Sequence, residues 1–436
     1  MSLAAKLPYD HPYAGGYPGL SSQALPTDAD ALDYLSRMAT ADGAGVETGV
    51  AIAVDEFISA TKSSGVWDSI RASCILAGAR TLAGALVPLK NEGPELWAEQ
   101  TPTINNADGS AAEWDAATLT MSNTSPTTSI IRPRFDFYVG LEDGKQYRIS
   151  GRLSGDLASI RNSVFRMGNT GSSVDIDPST GLFDSTGTAS GGLLPLLFTF
   201  DGSLGPFSVT IESISIREVI AAPTNVADGF VEGDYSRTSG LTGDGATTYL
   251  DSGRANDDET QNDKHIAVFT TQHHTRDATR CDIGCGAGNV GDSQLLTTAT
   301  TRFYRANFTG AVSGVADTAT SDGFWGVTRS SSSNVVGRYA STSVTLSDPS
   351  SSPTVGAIFV FSREAASYSD ATIAFYSIGT SLGTDPAVGL ADLDTAVTNL
   401  INRLKFAILV GENPSGLDPD TIDYIVRGYE AGGSLE

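Results

Sequence analysis

The chain has 436 residues, 47 of them glycine, and a formal charge of 27 − 51 = −24 at pH 7. That length buries a core without difficulty and leaves room for two or three domains, and glycine well above the usual ~7% favours short strands joined by tight turns over a helical protein. So negative a surface repels phosphate backbones and anionic lipid, which excludes nucleic-acid and membrane-surface roles and suits docking on a basic face of a partner.

The opening MSLAAKLPYDHPYAGGYPG carries prolines and no continuous apolar core, so it does not read as a signal peptide, and no run approaches the ~20 apolar residues of a membrane helix. Three cysteines, Cys74, Cys281 and Cys285, are an odd number and make no disulfide framework, which predicts folding in a reducing cytoplasm. Residues 1–27 are rich in Pro, Gly and Tyr. Proline excludes a regular helix there, so Tyr9, Tyr13 and Tyr17 belong to an extended arm, either docked on a neighbouring subunit or free.

Residues 28–92 read as a helical base. Thr27 or Asp28 caps a first helix with Leu32, Leu35 and Met38 on one side. A second runs from about Glu47 to Lys62 with Val50, Val54, Phe57 and Ile58 apolar, and a third from Trp67 to Ala77 buries Ile70 and Cys74. The run Ala85–Leu89 is then expected to be the strand that leads into a sandwich.

Residues 93–220 form a separate β-type module with strands at Ser129–Val139, Gln146–Leu153, Leu196–Asp201 and Phe207–Val219. The last alternates Val209, Ile211, Ile214 and Ile216 with polar neighbours, slipping once at Ser213; such patterning suits an antiparallel sheet with one wet face. Residues 221–380 read as a second sandwich, with strands at Tyr249–Asp251, His265–Thr271, Arg302–Phe308, Phe324–Arg329, Asn334–Tyr339, Ala357–Arg363 and Thr372–Ile378 separated by turn chemistry. Residues 381–436 hold a helix at Leu390–Leu404, with Leu393, Val397, Leu400, Ile401 and Leu404 on one stripe and Asp392 and Asp394 near its positive end, then a tail with a short helix at about Asp418–Tyr429. The fold class expected is therefore mainly β: an N-terminal helical segment, two β-sandwich domains and a C-terminal helix.

Three blocks carry a resemblance. The first is Trp67, Ile70, Ala72–Leu82 and Gly84–Leu89; the second is Ala222–Asn225, Gly233–Tyr235, Gly240-Leu241, Gly243–Gly245, Tyr249–Ser252 and Arg254–Asn256; the third is Phe359–Phe361 with Ala374–Gly379. These resemble tailed-bacteriophage virion structural proteins with a concanavalin A-like (laminin-G-like) sandwich. The chain departs from that pattern by running residues 93–220 between the first two blocks, and this stretch resembles small jelly-roll modules of the carbohydrate-binding type. The resemblance implies a virion component made in the host cytoplasm, of tail-fibre or appendage type, homo-oligomeric and trimeric, with capsid or tail subunits as partners and a host-surface glycan as ligand. A capsid decoration or collar protein without a glycan ligand is the first alternative, and a polysaccharide-degrading enzyme the second.

Candidate sites are few. The loop from Asp251 to Asp263 gathers Asp251, Asn256, Asp257, Asp258, Glu259, Asn262 and Asp263, oxygen ligands dense enough for Ca²⁺, although a solvated acidic loop is the more common account; Asp175 and Asp177 are a weaker pair of the same kind. Cys281 and Cys285 with His273 and His274 invite zinc, but no second ligand pair follows and buried apolar cysteines explain the spacing. Aromatics that could stack on sugar rings are Trp97, Trp114 and Tyr138 in the module and Tyr249, Tyr304 and Trp325 in the second sandwich, with core packing the competing account; polar neighbours mark Trp97 and Trp114 as the exposed ones. No glutamate pair presents itself for glycoside hydrolysis among Glu212, Glu218 and Glu364, and no catalytic fingerprint occurs, so no enzyme and no cofactor are expected.

Overall fold

A computed structural model describes residues 26–97, 101–105, 112–123, 130–131, 134–157, 160–168, 170–201, 207–226, 229–286, 290–310, 314–316, 322–364, 366–383 and 385–412. The arm bearing Tyr9, Tyr13 and Tyr17 and the tail helix at 418–429 lie outside the described residues. The fold is mainly β, built of antiparallel sheets, with helices before and after them. The chain divides into two compact units, a larger one of Met1–Asn91 with Ala221–Glu436 and a module of Glu92–Ile220.

In the larger unit, helix α1 (Ala29–Asp42) starts where the Asp28 carboxylate accepts from the N–H groups of Asp30 and Ala31, and ends at Gly43, whose φ of 65° lets the chain turn out. Helix α2 (Thr48–Ser63) buries Val50, Val54, Phe57 and Ile58. The third predicted helix does not form. Trp67–Ser69 is a single 3₁₀ turn, and Ile70–Ile75 is a strand lying between Pro88–Glu95 and Thr372–Gly379. Nearly all of its side chains are buried, so the strand shows no alternation and its Ile70–Cys74 spacing imitates a helical face. Ala85 likewise closes a one-turn helix, α3 (Leu82–Ala85), and the strand starts only at Pro88.

From Ile70–Ile75 the sheet continues through Thr372–Gly379, Lys264–Gln272, Gly323–Arg329, Asn334–Tyr339 and Thr342–Ser347. A second sheet of the same unit runs in the order Thr224–Val226, Tyr249–Ala255, Ala357–Val360, Arg280–Gly284, Gln294–Thr297, Thr301–Arg305, Gly314–Ala316. One face of the first sheet packs Ala267, Phe269, Phe324 and Phe375 against the helices, while Trp325 meets Tyr304 of the second sheet edge-on at 6.4 Å. Three layers result, helices on sheet on sheet. This is why Lys264–Gln272 and Thr372–Gly379 read as continuous buried runs. The predicted strand Ala357–Arg363 stops at Val360 because Phe361 adopts φ 70° and turns the chain away.

Helix α4 (Pro386–Glu412) buries Leu390, Leu393, Val397, Leu400, Ile401 and Leu404, at roughly 1.5–3 kcal/mol for each side chain taken out of water. It begins earlier than its apolar stripe suggests. Asp394 therefore sits inside the helix, where it pairs with Arg338 at 2.7 Å instead of lying at the positive end.

The module is a two-sheet antiparallel sandwich. One sheet holds Leu182–Thr188, Gln146–Gly155 and Phe207–Val219 with the ribbon Ala112–Asp115/Thr120–Asn123; the other holds Ser173–Asp175, Ile160–Arg166, Leu193–Asp201, Arg134–Tyr138 and Thr103–Asn105. Phe135, Phe137, Phe165 and Leu196 meet Tyr147, Ile149, Leu153 and Val209 in its core. The slip in the alternation of Phe207–Val219 is a β-bulge between Ile211 and Ser213: it leaves Glu212 outside the pairing and moves the inward positions from 207, 209 and 211 to 216. The strand Pro88–Glu95 runs from one unit into the other, Lys90 pairing with Ser73 and Glu92 with Val219.

Candidate functional site

The strand Arg134–Tyr138 turns Phe135 and Phe137 into the module core, so strict alternation turns Tyr138 outward. Tyr138 is 70% exposed, the most open aromatic ring among the large hydrophobic side chains of the described residues. Its ring rests beside Gly192, where a side chain would begin 3.4 Å from the ring atoms, and the Gly140 N–H donates to the Gly192 carbonyl at 3.2 Å. Backbone pairing of Tyr138 with Leu193 fixes the strand beneath it. An apolar ring held on a paired strand with one face open costs little entropy to place against a flat ligand.

The tryptophans behave otherwise. Trp97 is tilted against Phe137 at 5.1 Å and Trp114 meets the same ring edge-on at 5.5 Å, both packed against the core. Glu95, Glu113 and Asp115 face solvent while the indoles lean on Phe137 and are half-buried, which corrects the expectation that these two are the exposed rings. Trp325 is 1% exposed, between Tyr304 and the Arg302 guanidinium 4.6 Å from its ring centre, and Tyr304 is buried too. Neither is accessible to a sugar.

Tyr249 remains half-buried on the outer face of the second sheet of the larger unit, edge-on to Phe359 at 5.2 Å and tilted against Tyr368 at 6.0 Å. Phe359 stands opposite Asp251 in the pairing of Tyr249–Ala255 with Ala357–Val360, so its place beside Tyr249 follows from strand register. Tyr368 carries no such signal, since it arrives from a loop. Beneath it Arg280 donates to the carbonyls of Gly245 and Tyr368 at 2.7 and 3.1 Å.

The acidic loop does not converge. Asp251 accepts from the Gly253 N–H at 2.9 Å, Asp258 from the Ala255 N–H at 2.8 Å, Glu259 turns inward to Arg254 at 2.6 Å, and Asp257 is exposed. Asp177 serves the turn Ser179-Thr180, and Asp175 is exposed. Among the described residues no group of three or more His, Cys, Asp or Glu side chains gathers as a metal would need.

Cys281 and Cys285 are fully buried, and burial pushes the Cys281 thiol well up and the Cys285 thiol to about 11, so neither offers a thiolate. His274 turns from them to a different pair. Its Nδ1 lies 2.9 Å from Asp282, its Nε2 meets the Thr297 hydroxyl, and the Ser369 hydroxyl donates to Asp282 at 2.5 Å. Burial opposes ionisation of Asp282, yet His274 and Ser369 hold its carboxyl below the usual range. A hydroxyl, an imidazole and a carboxylate in line have the composition of a hydrolytic relay, but Thr297 and Asp282 are 0% exposed and His274 1%. No substrate reaches them, and the array is structural.

The glutamates weighed for hydrolysis are dispersed: Glu212 pairs with Arg152 at 3.3 Å, Glu218 with Lys145 at 3.1 Å, and Glu364 is exposed in the turn Arg363–Ala366.

No protein-family model matches the sequence, and no curated protein sequence is significantly similar to it. Among solved structures the chain is similar to the N-terminal CBM22-1–CBM22-2 tandem domain of Xyn10C from Paenibacillus barcinonensis, at 12% identity over 66% of this chain and 98% of that one. The TM-score of that match is 0.22, a likeness too slight to carry a fold or a ligand across.

Proposed function

We propose that this chain is a non-enzymatic virion protein of the tail-fibre or appendage type, which displays its module Glu92–Ile220 for weak, multivalent adhesion to host-surface glycans. The observation that carries the adhesive reading is Tyr138: an aromatic ring 70% exposed, set on a paired strand beside Gly192. The apolar C–H face of a pyranose packs on such a ring, while the phenol hydroxyl is left free for a sugar hydroxyl. One ring gives an affinity in the ~mM range, and several copies in an oligomer raise it by avidity without any new contact.

The virion reading is supported by the resemblance of the blocks around Trp67–Leu89, Ala222–Asn256 and Ala374–Gly379 to phage structural proteins. The non-enzymatic reading is supported by the dispersal of the glutamates and the inaccessibility of the His274 array. A homotrimer and attachment to other virion subunits through the N-terminal arm belong to the same proposal, which needs no metal or cofactor.

The test is retention of the full chain on immobilised host polysaccharide, wild type against Tyr138→Ala. Loss of at least about tenfold in apparent affinity, some 1.4 kcal/mol, supports the reading. Equal retention of the two proteins, or no retention of either, refutes adhesion through this ring; release of reducing sugar by the wild type would replace it with the enzymatic alternative.

A further inference from the structure

The connection between the strands Tyr249–Ala255 and Lys264–Gln272 holds a buried amine against a buried carboxamide. Lys264 and Asn256 are both 0% exposed. The lysine Nζ donates to Asn256 Oδ1 at 2.8 Å and to the backbone carbonyl of the same residue. Asn256 Nδ2 faces the carbonyls of Gly291 at 2.9 Å and Thr354 at 3.3 Å, so the amide is held with its oxygen toward the amine.

Glu259, 3% exposed, completes the cluster. Its Oε1 accepts from Arg254 Nη2 at 2.6 Å and Nε at 3.1 Å, whereas its Oε2 is buried with no hydrogen-bond partner among the described residues. Among charged groups, Glu259 acts most strongly on Lys264. A buried carboxylate oxygen left unpartnered, with its charge acting on a buried amine, is costly for a fold to keep and useful as a proton acceptor.

We propose that Lys264 and Asn256 join in an intramolecular isopeptide bond, with Glu259 carrying the proton. The Nζ lone pair attacks Asn256 Cγ and forms the new C–N bond, while Glu259 Oε2 takes a proton from Nζ. Collapse of the tetrahedral intermediate breaks Cγ–Nδ2, the proton passes to Nδ2, and ammonia leaves. A primary amine and a primary carboxamide thus become a secondary amide and ammonia, with no oxidant or reductant. Burial favours the step twice: desolvation lowers the lysine pKa toward the neutral, nucleophilic amine, and both groups are held in contact without water. Arg254 orients the carboxylate through its two hydrogen bonds to Oε1. The product ties together the ends of two strands from different sheets of the larger unit.

Intact-mass and tryptic-peptide measurements on the folded full chain decide the matter. The expected wild-type mass is below the sequence mass by one ammonia. Trypsin no longer cuts after Lys264, and a peptide from Ala255 to Arg276 appears lighter by the same amount. Glu259→Gln is expected to restore the ammonia and the cleavage. A full sequence mass for the wild type overturns the proposal, and so does an ammonia loss that leaves Lys264 cleavable, which marks a succinimide at Asn256 instead. Formation of the bond in Glu259→Gln to the wild-type extent removes Glu259 from the reaction.

Discussion

In the larger unit Arg329 meets Asp348 at 2.9 Å with neither side chain exposed, whereas in the module Arg148 meets Asp184 at 2.7 Å with 37% and 52% of the two side chains in solvent. The same contrast runs through both units. The larger one buries Lys264, His265, His274, Asp282, Arg302 and Arg329; within the module Asn123 is the one polar residue in the buried class among those described. One sandwich is specified by polar partners that each have a single place to go, the other by the fit of Phe135, Phe137, Phe165 and their neighbours. Buried pairs add little net stability over apolar packing, but losing one partner strands a charge, so the larger unit should be the less tolerant of polar substitutions.

The largest expected effect is that of Arg329→Leu. It leaves the Asp348 carboxylate buried without its guanidinium and removes a donor to the Ala306 carbonyl, at a cost of about 3–5 kcal/mol. Hydrogen exchange on the full chain reads that loss in each unit separately; the larger unit should lose protection and the module should not. A change below about 1 kcal/mol would erase the contrast.

Lowering the pH sharpens it next. Burial pushes His265 and His273 down to about 4. The unfolded chain titrates them near 6.5, so it binds protons that the folded state refuses. Their contribution to stability is complete above pH 6.5 and is lost as the pH falls from there through about 4. The module contains no histidine, so between pH 7 and 4.5 protection relative to each amide's intrinsic exchange rate should fall in the larger unit while that of the module holds. Parallel loss in both units would refute this assignment.

The smallest effect belongs to Arg148→Ala. It pairs with the exposed Asp184 and, at 3.6 Å, with the half-buried Glu92, and a change of about 0–1 kcal/mol in the module, fading in high salt, is the expected outcome. A loss as large as that of Arg329→Leu would mean that the two units are stabilised alike.

The same contrast decides what could be read from the residues alone. Where one face of a strand is wet, the pattern is legible: Phe207–Val219 and Asn334–Tyr339 are found within their predicted bounds, the slip at Ser213 marks a real bulge, and the outward turn of Tyr138 follows from Phe135 and Phe137. Where a strand is covered on both faces, as Ile70–Ile75 is, alternation vanishes and a helix fits the same residues. Gln294–Thr297, buried throughout, left no periodic signal at all. The indoles of Trp97 and Trp114 were misplaced because polar neighbours report on the backbone's surroundings and not on where a long ring ends. The Lys264–Asn256 contact is illegible for a further reason: an acidic loop shows how many charges it holds, but that the carbonyls of Gly291 and Thr354 close over Asn256 is a tertiary fact.

The pairing of Ile70–Ile75 with Thr372–Gly379 also sets an order of events in time. Phe375 stands opposite Ile75 and Ser377 opposite Ser73, so a strand made early on the ribosome waits some three hundred residues for a central neighbour. At about 5–20 residues per second that wait lasts at least roughly 15 s. During it the strand IRASCI, even once Pro88–Glu95 has paired with one side, keeps its other edge open, with Cys74 near its end, in a chain that continues to grow. Contacts of such long range are slow to close, and ribosome-bound intermediates ending before residue 372 are the species most exposed to aggregation and to holdase chaperones.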